Sequence, residues 1–145
     1  EDIKDLPKFV EELKKGAELV IASRMMKGAF NEEDIHLMRP RKWVNNLFNL
    51  GANLFFRRKG SYVTDSINGY RAITKSAVER LSLDAQDYTI EYQMTMRSMK
   101  HKLAIHEFPT YEGQRIAGDE SPSMTLGFRF IACLLREIKI GKKHG

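Results

Sequence analysis

Apolar residues recur along this chain in two alternating registers, one helical and one extended. Ile3, Leu6, Phe9, Val10 and Leu13 fall three or four apart with Lys and Glu between them, which predicts an amphipathic helix over 2–15. Pro7 suits its first turn and Gly16 its stop. Leu19-Val20-Ile21-Ala22 is an unbroken apolar run of strand length. Residues 27–36 are polar and predict a loop. A second helix is predicted over 39–58, with Trp43, Val44, Leu47, Leu50, Leu54 and Phe55 as its apolar stripe and Phe48 beside it. Arg57, Arg58 and Lys59 close it with cations where the helix dipole favours them, and Gly60 ends it. A strand at 70–73, a short helix at 75–81, a methionine-rich helix at 89–102 and a strand at 103–110 follow. Residues 114–123 read as a loop. Residues 125–140 read as a final helix with Leu126, Phe130, Ile131, Leu134, Leu135 and Ile138 on one face, before a basic tail.

Helices that alternate with short strands predict α/β layering. Three or four strands make a small sheet with an exposed edge, which favours pairing and leaves a homo-oligomer open. The 145 residues suit one domain. The chain opens on Glu1-Asp2-Ile3-Lys4 without an initiator Met, so it is expected to be a piece of something longer. Hydrophobic content of 42% is enough for a core. No apolar run reaches about eighteen residues, the length of a membrane span. The single cysteine, Cys133, excludes an internal disulfide framework and a cysteine-rich zinc site. A net charge of +5 favours anionic partners without choosing among nucleotides, lipid headgroups and nucleic acid.

The chemistry concentrates in Thr64-Asp65-Ser66-Ile67-Asn68-Gly69-Tyr70-Arg71-Ala72. Asn68-Gly69 is a turn signal that tolerates positive φ, and it predicts a bend with Asp65 and Arg71 at its two ends. A plain surface turn with an Asp–Arg pair explains the spacing equally well. Ser23-Arg24 follows the first strand, where open α/β sheets direct residues into a ligand crevice. Arg41 and Asn45 lie four apart at a helix start, a place suited to anions. The plainer reading of these residues is solvated surface. His36, His101, His106 and His144 show no metal-ligand spacing, the methionines suit core filling, and there is no Gly-rich phosphate loop.

These segments, in this order, resemble the second half of a family-2 glycosyltransferase of the polyprenyl-phosphate sugar transferase type. The family carries an Asp, small residues, Gly, an aromatic and Arg where Asp65, Gly69, Tyr70 and Arg71 stand. Glu107-Phe108-Pro109, then Arg115, Gly118 and Ser121, resembles a further family stretch, although Asp119-Glu120 places two acidic residues where the usual form has one. The resemblance implies a partial GT-A fold: Rossmann-like, three-layered, with a small mixed sheet and incomplete at its N-terminus. Residues 1–112 would form the sheet and helices. Residues 113–145 would form an active-site loop and an amphipathic membrane-proximal helix.

The same resemblance implies an inverting hexosyltransferase that uses a GDP- or UDP-hexose and a polyprenyl phosphate. It would work as a peripheral protein at the cytoplasmic membrane face. Asp65 would lie near the transferred sugar and Glu91 would be an acceptor-facing carboxylate. Arg71 would hold the loop or a phosphate. Ser23, Arg24, Arg41, Asn45 and Arg115 would serve the acceptor phosphate or pyrophosphate. A phosphate acceptor is already anionic and needs little base help, so a Glu91 favoured only by the helix dipole is as good a reading. The family's divalent metal, Mg or Mn, sits on an Asp-x-Asp motif that this chain lacks, so the isolated chain is expected to be inactive. Residues 39–58 and 125–140 have the look of interfacial helices as well as of core-packed ones. Two rivals remain: a non-catalytic module that binds anionic lipid or nucleic acid, and an inactive structural remnant. The aromatics lie on helical apolar faces rather than along a basic groove, which argues against nucleic acid.

Overall fold

The strand Leu19–Ser23 (β1) is buried along its whole length, and its side chains divide by parity. Leu19 and Ile21 join a cluster with Phe48, Ala52, Phe56, Tyr92, Met96 and Phe130. Val20 and Ala22 join Phe9, Ala17 and Phe108 on the opposite face. Period-two alternation thus gives the sheet two covered faces. The computed structural model describes residues 3–29, 40–111 and 124–141, the side chains of 40, 41 and 124 excepted.

Within these residues, a 3₁₀ turn at Ile3–Asp5 leads into α1 (Leu6–Lys14), then β1 and α2 (Pro40–Phe56). β2 (Arg71–Ile73), α3 (Lys75–Leu81), α4 (Ile90–Lys100), β3 (Ile105–Pro109) and α5 (Met124–Ile140) follow. The strand order is β2-β1-β3. β1 runs antiparallel to β2, with Ile21 opposite Arg71, and parallel to β3, with Ser23 opposite Pro109. α1 covers one face through Phe9, whose ring meets Tyr70 and Phe108 edge-on at 4.9 Å. α2, α4 and α5 contribute the residues that cover the other face. The architecture is therefore a three-layer α/β arrangement on a small mixed sheet.

Local signals account for most boundaries. Thr74 caps α3 by accepting the Ala77 amide hydrogen, and Ser82 ends it in the left-handed region. Gly16 turns the chain after α1 at φ +99°. Met96 and Met99 fill the core as expected.

Three helical faces differ from the sequence expectation. In α1 only Phe9 of the expected stripe is buried, and Ile3, Leu6 and Val10 are exposed. In α2 the expected stripe is turned outward: Trp43, Leu47 and Leu54 are 77%, 64% and 71% exposed, while Phe48, Asn49, Ala52, Asn53 and Phe56 face inward. In α5 the expected face mostly holds: Phe130 is buried and Leu126, Leu134 and Ile138 pack against the core, whereas Ile131 and Leu135 are exposed and Cys133 and Glu137 are buried instead. Inward polar groups explain the reversal of α2 and the shift in α5. The asparagines of α2 and Glu137 of α5 find partners inside, and an unmet buried polar group costs about 1–3 kcal/mol.

Polar clamps tie the helices together. Arg97 Nε and Nη2 donate to Glu137 Oε1 at 3.0 and 2.9 Å, and Lys100 bonds its other oxygen, so α5 is pinned to α4 by a buried ionic triad. Gly51 of α2 lies so close to α5 that a Cβ there would meet Leu134 Cδ2 at 3.1 Å.

Candidate functional site

Because β1 is antiparallel to β2 and parallel to β3, the C-terminal ends of β1 and β3 and the start of β2 share one edge of the sheet. Ser23, Arg24, Tyr70, Arg71, Pro109 and Thr110 gather there. The Thr110 amide donates to the Ser23 carbonyl at 3.0 Å and the Ala22 amide to the Tyr70 carbonyl at 3.0 Å.

Segment 63–68 crosses this edge without a strand partner. Its backbone is held by side chains instead. Glu107 accepts the Thr64 and Asp65 amide hydrogens at 2.8 and 3.1 Å, and the Thr64 hydroxyl at 3.1 Å. Asn49 accepts the Ser66 amide and hydroxyl at 2.8 and 2.6 Å and donates to the Thr64 carbonyl. Asn53 bonds both backbone groups of Val63. Asn68 Nδ2 donates to the Ala22 carbonyl at 2.6 Å. Burial raises the Glu107 carboxyl above its ordinary value, although the hydrogen bonds from Thr64 and Asp65 act the other way.

This scaffold fixes Asp65, which is fully buried. Its two oxygens take a bidentate grip from Arg24, Nε to Oδ2 at 2.9 Å and Nη2 to Oδ1 at 3.1 Å. The Arg24 amide adds a third bond to Oδ2 at 3.0 Å. Fork-to-carboxylate pairing of this kind is strong and directional. Asp65 therefore sets which way Arg24 points. Ser23 Oγ lies 2.7 Å from Thr64 Oγ1 and accepts the Met25 amide hydrogen at 3.1 Å, so Ser23 serves the loop as well.

Arg71 holds the loop rather than pairing with Asp65. Its Nε donates to the Asn68 carbonyl at 2.6 Å, Nη1 to the Glu91 carbonyl and Thr95 Oγ1 at 2.9 and 3.0 Å, and Nη2 to the Ser66 carbonyl at 3.3 Å. Desolvation pulls its pKa down to about 10, against the pull of the Glu91, Asp65 and Glu107 charges. It remains charged at neutral pH. Neither Asn68 nor Gly69 takes a positive φ, contrary to expectation. Gly69 is instead a place of close approach, where a Cβ would meet Glu91 Oε1 at 3.4 Å. Glu91 occupies the first turn of α4, beside the site edge.

The structure thus brings together Ser23, Arg24, Asp65, Gly69, Tyr70, Arg71 and Glu91. Asn45 lies on α2 four and eight residues before Asn49 and Asn53, on the same helical side. Arg41 falls in the first turn of α2, with its side chain outside the described residues. Arg115, Gly118 and Ser121 also lie outside them, as do His36 and His144. His106 Nδ1 lies 2.8 Å from Glu12. A cavity of about 280 Å³ beside β3 is lined by Glu107 and His106 among others, but not by Arg24, Asp65 or Glu91.

Among the described residues, no group of three or more His, Cys, Asp or Glu is placed to hold a metal ion. No described helix is long and apolar enough to cross a membrane. Sequence reasoning missed Asn49, Asn53, Asn68 and Thr95 as site builders and gave Glu107 no role. The available signal was the four-residue spacing of Asn45, Asn49 and Asn53 along one side of the helix. No family model, curated protein or solved structure matches the chain.

Proposed function

We propose that this chain is the second half of a family-2 glycosyltransferase catalytic domain with the GT-A fold. The complete protein would transfer a hexose from a GDP- or UDP-sugar to a polyprenyl phosphate at the cytoplasmic membrane face. One observation carries the reading: Arg24 and Asp65, separated by 41 residues, meet in a bidentate pair at the carboxyl edge of the sheet. Open α/β sheets bind ligands at that edge. The Asp65 grip takes the Nε/Nη2 side of the guanidinium and fixes the direction of the whole group.

In this reading an acceptor phosphate oxygen attacks the anomeric carbon as the bond to the nucleotide diphosphate breaks, with inversion. The acceptor arrives already ionised. The chain's own residues bind and orient: Arg24 meets the acceptor phosphate, with Arg41, Asn45 and Arg115 as further candidates. Arg71 holds the loop that carries Asp65, Gly69 and Tyr70. Glu91 faces the same edge from α4.

The outward faces of α2 and α5 support a membrane surface as partner. They adjoin across a seam where Gly51 meets Leu134 and the Phe48 and Phe130 rings lie 5.1 Å apart. Leu47, Leu50 and Leu54 on α2 and Ile131 and Leu135 on α5 are exposed apolar side chains. Arg57, Arg58 and Lys59 follow α2 directly and suit anionic headgroups. The same surface favours a second reading, a lipid-binding module without catalysis. Hexose transfer by the full-length protein, assayed with Arg24→Ala alongside, separates the two. Abolished turnover in the variant supports the transferase, and unchanged turnover removes Arg24 from the site.

A further inference from the structure

The inner side of α2 is an amide ladder that does the work of a missing β-strand. Asn53 and Asn49 together bond the backbone of Val63, Thr64 and Ser66, the residues that flank Asp65 on both sides. Glu107 holds the Thr64 and Asp65 amides from β3. The Asp65 carboxylate can keep its bidentate geometry with Arg24 only while its backbone stays put on both sides. Glu107 secures the amides leading into Asp65. On the far side, the hydrogen bonds to the Ser66 amide and hydroxyl both end on Asn49 Oδ1.

We propose that Asn49, supported by Asn53, is a positioning residue for the Asp65–Arg24 pair. It touches neither member of the pair. It acts through Ser66 and Thr64, fixing the peptide from which the Asp65 side chain projects, and through Asp65 it fixes the direction of the Arg24 guanidinium. The consequence for phosphate binding rests on the function proposed above, whereas the hydrogen-bond relay is independent of it. A helix whose outer side is apolar and whose inner side sets two asparagines among Phe48, Ala52 and Phe56 thus braces the candidate site.

The side-chain Nε–H signals of protein labelled with ¹⁵N-arginine test the relay. Arg24 Nε–H reports the bond to Asp65, and Arg97 Nε–H, bonded to Glu137 in the core, is the internal control. In Asn49→Ala the Arg24 signal moves toward the free-arginine position and its proton exchanges about tenfold faster, while the Arg97 signal is unchanged. Asn49→Asp, which keeps the acceptor for Ser66, restores part of the Arg24 signal and serves as the working variant if the alanine protein does not fold. An unmoved Arg24 signal in a folded variant overturns the proposal. So does equal loss at Arg24 and Arg97, which marks general loosening. Farnesyl phosphate is the separate probe of function. If Arg24 responds to Asn49 but farnesyl phosphate binds neither protein, the relay stands and the transferase reading fails.

Discussion

Asn53 pairs with Val63 as one strand residue pairs with another: its Nδ2 donates to the Val63 carbonyl at 2.8 Å and its Oδ1 accepts the Val63 amide hydrogen at 2.9 Å. A helix side chain thereby stands in for sheet at a place where the chain has none. The geometry explains why α2 turns its asparagines inward and its leucines out. Unmet backbone groups of 63–66 would cost more than the exposure of apolar side chains.

The exposed face of α2 has a built-in reporter for the proposed membrane contact. Trp43 is the only tryptophan, and it lies on the exposed side of α2. Vesicles containing anionic lipid are expected to shift its emission to shorter wavelength, and brominated lipid to quench it. Neutral vesicles should do so less, and added salt should weaken the effect. An emission spectrum indifferent to vesicles would remove the membrane surface as partner.

Leu47→Glu and Leu54→Glu place charges on that same face. Thermal unfolding should stay within about 0.5 kcal/mol of the parent, as for surface positions generally. Vesicle co-sedimentation should fall. A large loss of stability would mean that these residues are packed, in conflict with their exposure.

Glu137 predicts an acid sensitivity with a definite sign. Burial pushes its carboxyl up, but the hydrogen bonds from Arg97 and Lys100 outweigh burial and hold it below 4.5. A depressed folded value means that its stabilisation is complete above 4.5 and is lost as pH falls through the folded value. Melting curves between pH 6 and pH 3 should therefore show a steeper acid loss in the parent than in Glu137→Gln. At neutral pH, Glu137→Ala should cost about 3–5 kcal/mol, because Lys100 loses its buried counter-charge and Arg97 keeps only Asp84, at 2.9 Å.

Glu107→Gln tests the loop's other support. The amide keeps one acceptor oxygen but turns an N–H toward donors, so roughly 1–3 kcal/mol of stability should be lost. The hydrogen exchange of the Thr64 and Asp65 amides should rise with it. Unchanged protection at those two amides would show that Glu107 does not hold the segment.

Much of the layout was legible from pattern alone. The helix at 75–81 coincides with α3, and the apolar run 19–22 is β1, because a cap, a turn residue and an unbroken buried run are local signals. The facing of α2 was not legible, since two apolar stripes compete on one helix and the choice depends on a segment ten residues further on. The sequence order and the family resemblance place Arg24 and Asp65 at one shared pocket, but not in direct contact. Local spacing offers Arg71 as the partner of Asp65 across a short bend, but Arg71 spends its donors on the carbonyls of Ser66, Asn68 and Glu91 and on the Thr95 hydroxyl. Long-range pairing of this kind leaves no trace in local spacing.

The most direct measurement is the affinity of this chain for farnesyl phosphate, set beside farnesol and beside the Arg24→Ala variant. The account predicts binding that requires the phosphate and weakens roughly tenfold to a hundredfold when Arg24 is removed, the range expected for a charge-assisted contact. Equal affinity for phosphate and alcohol, or an Arg24→Ala protein that binds as well as the parent, would contradict it.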